Sequence, residues 1–202
     1  MNLIGNDCVS ACFYAISKMQ FKNPFTWTIC NFPNMLYLIE NYDNINWKNF
    51  KILPSTCVKD TFKIVIDSKI NLHYVHYKKS DLDVKEYKIS GDLFSKNIEL
   101  KVVETYTKRA YRLLEENEEP IFLLNTYPDK RHQYTKENLI HLCKLDLKYH
   151  IIIITPYTEL LKYENEKLHF ILDESLDGQL VRCNKDYNQI KTILKDKLNL
   201  EL

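Results

Sequence analysis

The sequence predicts an α/β fold, a single-domain sandwich in which helices flank a mostly parallel central sheet. Apolar, β-branched runs alternate along the chain with stripes of helical period. The run YHIIIITP (149–156) is apolar on both faces, as a central parallel strand must be. The 202 residues show no internal repeat and no linker rich in Gly, Pro or Ser, so one domain is expected over 1–202.

NLIG (2–5) reads as a strand ending in a turn, and Asn6 and Asp7 follow as helix caps. Val9, Cys12, Phe13 and Ile16 then form one apolar face, predicting a helix over 8–20. NPFTW (23–27) is a turn, and Pro33 opens a second helix through Met35, Leu36 and Ile39. TFKIVID (61–67) and INLHYVHY (70–77) read as strands, and 78–99 as a polar, variable surface stretch. Val103, Tyr106, Ala110, Leu113 and Leu114 predict a helix over about 100–117, and Pro120 ends it before the strand IFLLNT (121–126). A helix near 135–146 precedes the central strand. LHFILD (168–173) adds another strand, and Tyr187, Ile190, Ile193, Leu194 and Leu198 give a closing helix.

Composition removes several function classes. With 45% hydrophobic and 27% charged residues the chain is not disordered. Lys and Arg total 28 against 27 Asp and Glu, and only four of the 28 are Arg, so no nucleic-acid partner is expected. No apolar run is long enough to span a membrane. The opening MNLIGNDC has neither a basic nor an apolar leader region, so a cytoplasmic, reduced protein is expected. Six cysteines form no Cys-x-x-Cys, so no metal is expected. Three glycines cannot build a Gly-rich phosphate loop, and no cofactor is expected. Nothing in the pattern sets an oligomeric state.

Cys8 is the leading chemical candidate. A thiol at a helix N-terminus feels the positive end of the helix dipole, which favours the nucleophilic thiolate. Asn6 or the turn's N–H groups could supply oxyanion donors, while the neighbouring Asp7 opposes thiolate formation. A small buried residue in a tight turn is the bland reading of Cys8. His73 and His76 point to opposite faces of one strand, so only one can share a site with Cys8. His141, His150 and His169 read as structural. Arg109 and Arg112 are spaced to clamp a phosphate or carboxylate, although Glu116 beyond Arg112 equally fits a solvated, salt-bridged face. Asn125, Thr126 and Thr155 fall at strand C-termini, the edge where open α/β sheets hold ligands.

These residues resemble a bacterial family labelled papain-like cysteine peptidase. The similarity lies in IGNDC (4–8), NPFTW (23–27), NLHYVHY (71–77), and YTKRAYR (106–112) before IFLLNT. It implies Cys8 as nucleophile and His76 as the matching histidine, with Asn6 and Trp27 in the same pocket. Thr26 stands where the family turn often carries an acid. The resemblance makes an α+β papain-like fold the alternative architecture. A weaker similarity, to a family found near exopolysaccharide genes, suggests polysaccharide biosynthesis as a setting. The expected function is a cysteine-dependent hydrolase or acyl transferase acting on a small-molecule, peptide or glycan substrate. The alternatives are a non-catalytic or non-cysteine protein of surface-glycan assembly that binds a sugar nucleotide or phosphorylated glycan through Arg109, Arg112 and strand-end polar groups such as Asn125, and an interaction protein with an aromatic-rich surface.

Overall fold

The computed structural model describes residues 1–19, 23–26, 28–56, 61–74, 91–126, 132–173 and 182–200; for 8, 9, 12, 16, 91–99 and 182–186 only the backbone is described. Trp27 and His76, two of the sequence candidates, lie outside the described residues.

The central sheet contains β1 (Asn2–Gly5), β5 (Pro120–Asn125), β6 (His150–Thr155) and β7 (Leu168–Leu172), in that spatial order and all parallel. This is the α/β architecture expected from the alternating runs. Successive side chains of each strand enter different cores. Ile4, Phe122, Leu124, Ile151, Ile153, Leu168 and Phe170 face one side. Leu3, Ile121, Leu123, Ile152, Ile154 and Ile171 face the other. With both faces covered, neither can afford polar residues, which is why the isoleucine run does not alternate.

Helix α1 (Cys8–Ile16) and the C-terminal α5 (Arg182–Thr192) cover the second face through Phe13, Tyr14 and Ile190, joined by Ile193 and Leu194 of the wider turn that follows α5. The first face packs against α2 (Phe32–Asn41), α3 (Gly91–Glu116), α4 (Lys136–Cys143) and a second sheet. That second sheet is antiparallel: β2 (Phe50–Pro54), β3 (Phe62–Ile66) and β4 (Ile70–Tyr74). Asp67 and Ser68 between β3 and β4 have φ of 50° and 59°, the left-handed pair of a tight hairpin, and such a short connection can only join antiparallel strands. Phe62, Ile64, Ile66, Ile70 and Leu72 share one core with the parallel sheet.

Several boundaries differ from expectation. The first helix stops at Ile16, not near residue 20. Lys18 adopts φ 55°, and the N–H groups of Lys18 and Met19 return to the carbonyls of Ala15 and Tyr14, a C-terminal cap built without glycine. The stretch 78–99, expected to be a polar surface run, is helical from Gly91. Once the Val102–Tyr106–Ala110–Leu113 stripe anchors α3, N-terminal extension gains a hydrogen bond per residue. Strand β2 was not anticipated; only Phe50 and Ile52 pack inward, so its apolar signal is short. Pro33 lies in the first turn of α2 as expected, and Asn31 caps the helix by accepting from the Asn34 N–H.

β1 is an edge strand, and side chains close its open side. The Leu3 N–H donates to the Tyr14 hydroxyl (2.7 Å), and Asn23 Nδ2 donates to the Leu3 carbonyl (2.9 Å). Those contacts occupy the backbone groups through which another strand could add. Among the described residues no helix is long and apolar enough to cross a membrane.

Candidate functional site at the carboxyl edge of the parallel sheet

The site begins where β1 ends. Gly5 brings the chain against α1 so closely that a Cβ there would sit 2.3 Å from Ser10 Oγ and 2.5 Å from Ser10 Cβ. Ser10 is buried, so neither partner can give way cheaply. Gly5→Ala is therefore expected to cost about 1–3 kcal/mol by overpacking. In urea unfolding, Gly5→Ala/Ser10→Gly should recover part of that loss; an unshifted Gly5→Ala midpoint would show that the turn simply opens.

Beyond Gly5 the β1–β5 ladder is continued by a side chain. Asn6 Oδ1 accepts from the Asn125 N–H (2.8 Å), and Asn6 Nδ2 donates to the Asn125 carbonyl (2.9 Å). The Asn125 side chain in turn donates to Asp7 Oδ2 (2.7 Å). Asn6 and Asn125 are both buried, and together they hold the turn from which Cys8 opens α1. Asn6 thus spends its amide carbonyl and one amide N–H on the backbone of β5, which makes it a positioning residue.

The edge is laced across the remaining strands. The Thr126 N–H and hydroxyl both donate to the Ile154 carbonyl (3.0 and 2.9 Å), and the Asp173 N–H donates to the Thr155 carbonyl (3.1 Å). Asn125, Thr126, Thr155 and Asp173 form a buried polar row at the strand C-termini, where ligands of open α/β sheets bind.

A second route joins this edge to the antiparallel sheet. The Cys30 N–H donates to the Asn6 carbonyl (2.9 Å), and Tyr134 Oη donates to the Cys30 carbonyl (2.9 Å). Ile29 and His73 exchange both backbone hydrogen bonds (3.0 Å each). The Tyr74 hydroxyl at the end of β4 donates to the Pro24 carbonyl (3.3 Å). The chain leading to His76 and the turn leading to Trp27 are thereby tied to each other. Cys30 acts through its backbone N–H and carbonyl and Tyr134 through a lone hydroxyl, and neither carries a motif.

Arg109, the first of the two candidate arginines on α3, has a backbone partner in the NPFT turn. Its Nη1 donates to the Thr26 carbonyl (2.6 Å) and fastens the NPFT turn to α3. Arg112 is partly exposed one turn further along. The described free cysteines are poor nucleophiles: burial pushes the Cys30 thiol far up and the Cys143 thiol up to about 11. Burial also pushes the His150 and His169 imidazoles below the ordinary histidine pKa. Among the described residues no three His, Cys, Asp or Glu side chains converge as metal ligands.

Fold and site together define a mixed α/β protein with a strand–turn–helix element at the hydrogen-bonded carboxyl edge of a parallel sheet. Comparison with protein-family models and with curated proteins finds no match for the chain.

Proposed function

We propose that the protein is a cysteine-dependent hydrolase or acyl transferase with Cys8 as its nucleophile. The observation that supports this reading is the Asn6–Asn125–Asp7 network, which holds the β1–α1 turn from which Cys8 opens α1, at the carboxyl edge of the sheet. The helix N-terminus favours the thiolate and offers N–H groups to a developing oxyanion. The Asn125 amide shares the Asp7 carboxylate's charge, which weakens its opposition to thiolate formation. Cys8 attacks a carbonyl carbon, a histidine carries the proton to the leaving group, and water or a second acceptor releases the acyl group. His76 is the base in this reading, supported by the ties from the end of β4 to Pro24 and, through Ile29 and Cys30, to Asn6.

The test is the pH dependence of iodoacetamide alkylation, mapped by mass spectrometry. Cys8 is expected to react with an apparent pKa below the ordinary thiol value of about 8.5, and His76→Ala should raise it. Cys30 and Cys143 serve as slow internal references. An unreactive Cys8, or one indifferent to residue 76, would overturn the reading. The buried row of Asn125, Thr126, Thr155 and Asp173 would then stand as a binding crevice without covalent chemistry.

A further inference from the structure

The antiparallel sheet carries a serine–histidine pair remote in sequence from Cys8. Ser55 follows Pro54, the last residue of β2, and its N–H donates to the Thr61 carbonyl (2.9 Å), which fixes the start of the β2–β3 connection. Its Oγ lies 2.8 Å from Nδ1 of His73, within hydrogen-bond reach. His73 is only 6% exposed, whereas Ser55 is partly open to solvent. The His73 backbone is paired on one side with Lys63 in the β3–β4 register and on the other with Ile29, so the ring is carried on a doubly held strand. Burial, then the charges of Lys63 and His132, push its pKa down to about 4, leaving a neutral imidazole able to accept a proton at neutral pH.

We propose that Ser55 is a second nucleophile, with His73 as its general base, forming an acyl-serine from small activated esters. The Ser55 Oγ bonds to the carbonyl carbon while its proton passes to His73 Nδ1. Collapse breaks the ester C–O bond, and the departing alkoxide takes that proton to leave as an alcohol. Water then attacks the acyl-serine, releasing the carboxylic acid and restoring the serine hydroxyl. The Lys63 and His132 charges disfavour the intermediate imidazolium, so the site suits good leaving groups, whose departure needs little proton transfer.

The test treats the full chain with p-nitrophenyl acetate and, separately, with an alkyl fluorophosphonate, and maps adducts by peptide mass spectrometry. An adduct on Ser55 is expected, absent in Ser55→Ala and formed at least tenfold more slowly in His73→Gln. Because His73→Gln could disturb β4, Lys63→Gln supplies a second arm: removing that cation should raise the pH midpoint of Ser55 labelling. No adduct at Ser55, an adduct confined to Cys8, or a labelling rate indifferent to both His73→Gln and Lys63→Gln overturns the inference. Peptide mapping reads Cys8 and Ser55 separately, so each reading can fail without the other.

Discussion

Asn6→Leu is expected to lower folding stability by about 4 kcal/mol. The Asn6 amide satisfies both the N–H and the C=O of Asn125, at a site where Asn125 is only 8% exposed. A leucine of similar volume would leave both backbone groups buried without their partner, at about 1–3 kcal/mol each. Asn125→Ala should cost less, about 1–2 kcal/mol, because the Asn6–Asn125 backbone pairing survives and only the amide donated to Asp7 is lost. Urea midpoints of the two variants, measured side by side, check the order. Equal losses would mean that the Asp7 contact, not the continued ladder, holds the edge. The same pair bears on Cys8: if the turn is what positions it, Asn6→Leu should also slow Cys8 alkylation in protein that is still folded.

The second large effect is a loss of stability in mild acid. His73, His150 and His169 all have folded pKa values below the ordinary histidine value of 6.5, chiefly because burial disfavours the imidazolium. The unfolded chain therefore binds protons at a pH where the native protein refuses them. Stability is full above about pH 6.5 and falls as the pH drops below it. For His73, whose folded value is about 4, the loss develops between pH 6.5 and 4 and reaches about 3 kcal/mol. His169 adds to it: among the described residues neither ring nitrogen has a hydrogen-bond partner, its ring lies nearly parallel to His150 with centroids 5.8 Å apart, and Lys197 disfavours its charge while Glu164 partly offsets this. Around His150, Lys167 opposes protonation, and Glu119 and Glu166 favour it. His169→Leu should raise stability by about 1–3 kcal/mol at pH 8, because it replaces an unsatisfied buried polar group by an apolar one. The gain should be larger at pH 5, where the imidazole must resist protonation. Thermal or urea unfolding of both proteins across pH 4–8 is the measurement, and a flat wild-type profile over that range would sink the argument.

The fold class and the central strands were readable from sequence because their cause is local. Ile151 to Ile154 are buried on both sides, and four β-branched residues in a row declare that without reference to any partner. The same holds for the Pro33 start of α2 and for the strand–turn–helix around Gly5, where a proline or a glycine carries its own conformational meaning. What tertiary structure alone decided is how these pieces pair. That Ile29 meets His73, that Cys30 meets Asn6, and that Asn6 continues the ladder to Asn125 are contacts between residues far apart in the chain, made largely through backbone groups every residue possesses. Arg109 shows the same limit. Its guanidinium donates to the Thr26 carbonyl, a partner 83 positions away that its spacing from Arg112 does not announce. Ser55 and His73 carry no motif either; a hairpin register and one packed ring put their side chains within a hydrogen bond of each other. The sequence by itself determined the segments with a strong period and the faces they bury, since periodicity is a property of a segment; the short strand β2 and the ends of α1 and α3 came from packing. The chemistry at the sheet edge and around His73 depends on distances between segments, and only packing sets those.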